Sequence, residues 1–468
     1  MKNLALLAWM VGAAGCGKVG NAGTDASMFD AAPDADLVGH ARVVTQSHVA
    51  GDGAVAASMS GVQVFALRPN SSMVDLQTTD NAGGAALTIY PGGSVTAIYP
   101  HVYDNNATAA QQGADLVTFM GVKDADALTF GTRFTPYKGG TAANQVGTVN
   151  VTVSGAGATT GFVEVETPCG YTEPPQFTAQ TATVAIPVYA WCNVSPFEIG
   201  GYIYQDAPTA GATSYTYNAP TLNNGNASFA LSFPAGHAFT MSTTGVPAEV
   251  TSVSFNTQPT LSPEIFSDGN FANGGGTNVG GVVSGGAYTG MGTIYPIGDH
   301  LLGALHFSRA GGFSSTTLYD QLPTNATAWT VTAPTLVPWL NGSALFSSEH
   351  RLEWSSEATT GASAIDAVVV TLTWSHAMMI GNTNVALPYS WTIILPPDAT
   401  SVTWPTLPTQ FAADQPQPET DTIDSNVRLV EFPSINGYDA LRALPERNIV
   451  CPDCAVRVGE IPRAIFTN

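Results

Sequence analysis

The chain has 468 residues, enough for about two to four domains with cores of their own. Charged residues are only 10 % against 44 % apolar, which excludes global disorder, and the absence of heptads excludes coiled coils and helical repeats. Lys+Arg number 14 against Asp+Glu 35, so the net charge is −21; a chain that acidic repels phosphate backbones, which excludes bulk nucleic-acid binding.

Met1-Lys2-Asn3 supplies one positive charge, and Leu4 to Ala14 is an apolar run. It is too short to cross a bilayer of roughly 30 Å as a helix and has the length of a signal-peptide apolar region. Ala13-Ala14-Gly15 are small residues standing immediately before Cys16. The run resembles the lipobox of bacterial lipoproteins, with Ala13 where that family usually carries Leu. The resemblance implies a signal peptide over 1–15 and lipidation of Cys16. Gly17 stands where an Asp would be that family's inner-membrane retention signal, so the outer membrane is the implied address. No later segment reaches 18 uninterrupted apolar residues, so the chain is expected to be anchored to a membrane rather than threaded through one.

Residues 16–37 are rich in Gly, Ala and Asp, and Asp25, Asp30, Asp34 and Asp36 repel one another. The segment reads as an acidic, disordered tether reaching roughly 25 Å. Residues 38–100 read as the first folded unit. Val62, Val64 and Ala66 alternate on one face, Asp80 to Gly84 supplies turn residues, and Ala85, Leu87 and Ile89 alternate after it. Gly61, Val64, Thr79, Asp80, Gly83 and Ala85 occupy the places of the pattern of the carboxypeptidase regulatory-like domain, which this segment resembles. That resemblance implies a transthyretin-like β-sandwich with a spacing, adhesive or assembly role, and it brings no active site.

From 101 onward the periodicity is again two. Val149, Val151 and Val153 alternate, as do Val184, Ile186 and Val188, and Phe229, Leu231 and Phe233, with turns such as Asn223-Asn224-Gly225 between strands. Further on, Val368, Val370, Leu372 and Trp374 share one face and Trp391, Ile393 and Leu395 another. Trp354, Trp374, Trp391 and Trp404 read as core residues. The fold class is therefore all-β: multi-domain β-sandwiches, Ig-like or transthyretin-like, after the signal peptide and tether. A second sandwich region is expected over 101–265 and a third β-rich region over 266–468; whether 146–468 is two sandwiches or one with an insertion is left open. One helix is expected, from Tyr438 to Arg447.

Five cysteines are present, an odd number for an exported chain. If Cys16 carries lipid, Cys169, Cys192, Cys451 and Cys454 remain to pair. The simplest of three connectivities is local, Cys169 with Cys192 and Cys451 with Cys454. Cys451-Pro-Asp-Cys454 also has the spacing of a redox motif or half a metal site, but no βαβ pattern and no second ligand pair accompany it. Asp104-Asn105-Asn106 and Asp124-Ala125-Asp126 are oxygen-rich and could hold Ca²⁺, although no dedicated calcium loop is present. His300 and His306 are six apart, about 20 Å along a strand, too far for a metal pair. His350 beside Glu349 reads as a surface pair.

No catalytic or metal residue is assigned: the G-x-S-x-G, H-E-x-x-H and P-loop patterns do not occur. Two acids brought together only in space would escape such a search, and Glu164 and Glu166 read as a solvated face. Tyr202, Tyr204, Tyr215 and Tyr217 alternate at period two, the pattern of a flat aromatic face on which sugar rings stack, against the plainer reading of a core edge. The expected function is a lipid-anchored envelope surface protein with a structural, adhesive or ligand-binding role. The alternative is an envelope protein that binds or hydrolyses polysaccharide. Its partners would be the membrane and a glycan or another envelope protein, with no cofactor required.

Overall fold

The computed structural model describes residues 38–467 apart from 50–56, 102–112, 136–144, 155–160, 168, 172–175, 178–180, 191–192, 194–196, 198, 205–213, 219–220, 233–235, 261–277, 295–299, 313, 358–363, 381–382 and 458. The expected signal peptide, tether and Cys16 lie outside the described residues. The protein is all-β as expected: among the described residues 61 % are strand and 9 % helix. Val38–Asn468 is one compact unit.

Its central element is a twelve-stranded sheet. Across it the strands run Asn278–Val282, Val250–Thr260, His300–Arg309, Ser315–Pro323, Arg463–Thr467, Asp424–Glu431, Ala367–Ile380, Thr383–Leu395, Gly113–Met120, Ser94–His101, Gln63–Leu67 and Met73–Thr78. Thr383–Leu395 and Gly113–Met120 pair in parallel, with Trp391 opposite Leu116 and Ile393 opposite Thr118. Strands from all three expected β regions thus share main-chain hydrogen bonds. The boundary at 100/101 falls inside Ser94–His101, and the boundary at 265/266 separates Val250–Thr260 from its antiparallel partner His300–Arg309. Period two shows that a segment is a strand; it does not show which strand it pairs with.

Alternation along each strand supplies two cores. Phe65, Leu116, Val370, Trp391 and Leu429 point to one face, and Val64, Val117, Val369, Ile394 and Val430 to the other. The sets Val368–Trp374 and Trp391–Leu395, expected on different faces, lie on the same one. The register explains it: Leu372 stands opposite Trp391 and Val370 opposite Ile393. Two small sheets cover this first face. One is ordered Ala287–Ile294, His237–Thr244, Ala328–Thr332; the other Trp339–Phe346, Arg351–Glu357, Ser401–Thr403. The second face is covered by a sheet containing Gly39–Val49, Gly84–Ile89 and Ala127–Thr135 and by the C-terminal helices. The result is three layers rather than sandwiches in series.

A separate core sits in residues 145–232. Val149, Val151, Val184 and Ile186 from one sheet meet Val165 and Ile199 from another, with Cys169 among them. This part is a two-sheet sandwich of its own.

The helix expected over Tyr438 to Arg447 is two helices, Gly437–Arg442 and Glu446–Val450. Pro445 is the cause: it lacks an N–H and disfavours the helical conformation of Leu444 before it. All four expected core tryptophans, 354, 374, 391 and 404, are buried. The Trp391 indole donates to the Thr118 hydroxyl at 2.8 Å, which meets Thr96 at 2.8 Å, so the polar end of the ring is satisfied inside the core.

Asp366 holds the turn into the first C-terminal helix. Its carboxylate accepts the N–H of Phe432 at 2.9 Å and of Gly437 at 3.1 Å. Burial pushes its pKa above the usual carboxylate value, more than those two bonds and a side-chain hydrogen bond with Glu431 pull it down. The folded chain therefore holds this proton more tightly than the unfolded chain does. Stability from this group is greatest below about pH 4 and falls as pH rises through the folded pKa. The expected result is that Asp366→Asn, whatever constant penalty it carries, loses this downward slope. Urea midpoints of both proteins from pH 3.5 to 7 check it; parallel curves would refute it.

Candidate functional site

A cleft of about 260 Å³ lies where the strand Ala328–Thr332 passes over the central sheet. Its walls come from Thr330 to Thr335, from Leu318 and Ile465 of the central sheet, and from Pro433 and Arg463. Among the described residues Ala328–Thr332 is an edge strand: it pairs in parallel with His237–Thr244 on one side only. Alternation puts Trp329 and Val331 into the core and leaves Thr330 and Thr332 exposed. The strand ends at Ala333, whose φ of 44° is left-handed, and Pro334 follows.

One cation stands in the cleft wall, and it is oriented. Arg463 Nε donates to Asp320 Oδ1 at 2.5 Å and its NH2 group to Oδ2 at 2.6 Å. Asp320 is buried and also accepts the Trp329 indole N–H at 3.0 Å. The carboxylate raises the Arg463 pKa further above its usual value. The guanidinium thus stays charged and fixed, half-exposed, with NH1 not used on Asp320. The cleft offers hydroxyls, aliphatic surface, a strand edge and one positioned guanidinium. That chemistry fits binding. None of these residues was singled out from sequence, because the walls are drawn from four separated segments; the only local signal is the alternation of Thr330 and Thr332.

A second cluster is polar and mostly enclosed. Trp374 and Tyr389 stack with ring centres 5.4 Å apart, and the Trp374 indole N–H meets His376 Nε2 at 3.2 Å. An indole only donates, so Nε2 accepts, Nδ1 carries the proton, and it donates to Asp421 at 2.9 Å. Burial raises the pKa of nearby Asp414. Both His376 nitrogens are in use pinning the segment around Asp421 to the hairpin, so this histidine is a strut.

The residues expected from sequence fall as follows. Cys451 and Cys454 form a disulfide with Cα atoms 5.2 Å apart, and Cys454 lies in the helix Pro452–Arg457. Asp453 completes with them a group of potential metal donors, both sulfurs being spent in the bond. Cys169 is buried and disulfide-bonded; Cys192 lies outside the described residues. The register sets Tyr202 opposite Tyr215, Tyr204 opposite Phe162, and Tyr217 opposite Gly200. Glu164 stands opposite Tyr202 and Glu166 opposite Gly200.

In Asp124-Ala125-Asp126 the carboxylates face the protein's own donors. Asp124 accepts the His40 N–H at 2.8 Å and Asp126 the Arg442 guanidinium at 3.0 and 3.1 Å. Asp104-Asn105-Asn106 lies outside the described residues. His306 bonds Thr317 at 2.7 Å, and burial lowers its pKa. The Glu349–His350 surface pair is replaced: Glu349 binds Arg351, while His350 stacks on Trp404 at 5.5 Å.

No family model and no curated protein match this chain. Among solved structures, the Bacillus anthracis TIE protein aligns with 63 % of this chain and 50 % of its own length at 11 % identity, with a TM-score of 0.15. A shaft pilin, SpaA from Lactobacillus rhamnosus GG, aligns over 42 % of this chain and 98 % of its own at 8 % identity and a TM-score of 0.15. A streptococcal ancillary pilin aligns over 63 % and 98 % at 8 % identity and a TM-score of 0.16.

Proposed function

We propose that this chain is a lipid-anchored protein of the bacterial cell envelope, at the outer membrane, that works by adhesion or ligand capture and not by catalysis. The observation that carries the reading is the run Leu4 to Cys16, an export signal ending in small residues and a cysteine, followed at once by an acidic tether. The cysteine count supports it: Cys451 and Cys454 are spent on each other, and if Cys169 pairs with Cys192 as the sequence suggests, Cys16 is the one left over for lipid. Among the described residues no helix is long and apolar enough to cross a membrane. The expected turn at Asp80 to Gly84 is closed by Asp80 Oδ1, which accepts the N–H of both Ala82 and Gly84 at 2.8 Å. Binding chemistry concentrates in the cleft beside Ala328–Thr332.

Cys16→Ser tests the anchor. The expected result is full release of the protein from the membrane pellet, with wild type floating with outer-membrane markers on a density gradient. A variant that still sediments with membranes would overturn the reading. The second reading, an envelope protein that binds or hydrolyses polysaccharide, is favoured by the pairing of Tyr202 with Tyr215 on neighbouring strands. A glycan array separates the two.

A further inference from the structure

Among the described residues the strand Ala328–Thr332 has a free edge, and the hydrogen bonds that hold its other edge fix which groups are left over. Thr240 N–H donates to Thr327 O at 3.0 Å, and Ala333 N–H donates to Thr244 O at 2.7 Å. In a parallel ladder a residue turns both its N–H and its C=O to the same side, and its neighbours turn theirs to the other. Residues 327 and 333 face His237–Thr244, so 329 and 331 do as well. The N–H and C=O of Ala328, Thr330 and Thr332 therefore face away from that partner. Thr330 and Thr332 line the cleft. An unpaired strand edge is a template for another strand, and this one opens onto a groove containing a fixed guanidinium.

We propose that the cleft captures the C-terminal residues of a partner polypeptide by strand addition. The peptide main chain pairs with Thr330 and Thr332, and its terminal carboxylate takes the Arg463 donors that Asp320 leaves free. Three features favour this occupant. The free groups repeat every two residues, about 6.6 Å, which is the repeat of a second strand. From Ala328 to Thr332 the edge is about 13 Å long, enough for four extended residues. Lastly, a chain of net charge −21 repels acidic ligands in general, so one carboxylate is tolerated only where a cation is already aimed. Asp320 aims that cation from inside the core, and the Trp329 indole holds Asp320. Leu318, Ile465 and Pro433 give the peptide side chains an aliphatic floor, so small or apolar residues are preferred to acidic ones. The proposal rests on the ligand-capture part of the proposed function and is independent of the anchor.

The experiment uses the full chain in detergent against a bead-displayed random hexapeptide library with free C-termini. The best binder is then made as the free acid and as the C-terminal amide, and its affinity measured by fluorescence anisotropy. The amide is expected to bind at least tenfold more weakly. Thr332→Pro removes one outward N–H and nothing from the ladder, and proline is tolerated on an edge strand. It should weaken the free acid at least tenfold and leave the melting temperature unchanged. The proposal is overturned if no sequence is enriched, if the amide binds as well as the acid, or if binding survives Thr332→Pro. It is equally overturned if neutral oligosaccharides displace the peptide from the cleft. None of these results depends on Cys16, so failure here leaves the anchor test untouched.

Discussion

Arg442→Met is expected to destabilise the protein by about 3–5 kcal/mol, the range for breaking a buried ion pair from one side. Arg442 is 2 % exposed although it lies on a surface helix. Its Nε and NH2 groups reach the two oxygens of Asp126 at 3.0 and 3.1 Å, and its guanidinium lies 4.9 Å from the centre of the Tyr438 ring. Asp126 sits in the turn before Ala127–Thr135, where it also takes the Lys123 N–H at 2.8 Å. The pair thus clips the C-terminal helix to the sheet on the second face, across 316 residues of sequence. Without the arginine, Asp126 keeps a mostly buried charge and only part of its hydrogen bonding. The nearby Lys123–Asp439 contact at 2.7 Å does not substitute: both side chains are about 60 % exposed, and such pairs contribute about 0–1 kcal/mol. Adding Asp126→Asn to Arg442→Met should recover a large part of the loss, because the stranded charge goes with it. Urea denaturation of the two single variants and the double variant closes the cycle. A cost below about 1 kcal/mol for Arg442→Met would show that the pair is ornamental.

The elements that sequence reveals best are those whose signal is local. Val368 to Trp374 reads as a strand because alternating apolar residues need no partner to be recognised, and Asp80 to Gly84 reads as a turn because its bonds stay within five residues. What stays hidden is register. Nothing near Trp391 announces that its indole will donate to Thr118, or that Thr383–Leu395 will lie parallel to Gly113–Met120. Segments expected to fold as sandwiches in series instead add strands to one sheet, since pairing depends on long-range complementarity of faces. The cleft is hidden for the same reason. Thr332, Pro433 and Arg463 are unremarkable alone and become a site only when the sheet order brings them together. The proline break at 445 was legible in principle, because its cause is a covalent property of one residue.

Gly83→Ala is expected to cost about 2–5 kcal/mol, of which the larger part is collision and not backbone strain. Gly83 has φ +73°, a left-handed conformation that costs an L-residue about 1–2 kcal/mol. A Cβ there would also lie 2.4 Å from the carbonyl oxygen of Thr45 and 3.1 Å from the nitrogen of Met59. Those atoms cannot give way cheaply. Thr45 N–H donates to Gly83 O at 2.8 Å, Met59 N–H donates to Thr45 O at 2.9 Å, and the Thr45 hydroxyl bonds Met59 O at 2.6 Å. Moving them opens the end of the pairing between Gly39–Val49 and Gly84–Ile89, at an overpacking cost of about 1–3 kcal/mol. Gly92 is the control. Its φ is +81°, and a Cβ there meets nothing within 4 Å, so Gly92→Ala isolates the backbone penalty. Chemical denaturation of both variants separates the contributions: Gly92→Ala should lose about 1–2 kcal/mol and Gly83→Ala distinctly more. Equal losses would mean that Thr45 and Met59 yield without resistance, and the tight closure of this turn would then contribute little to the stability of the layer.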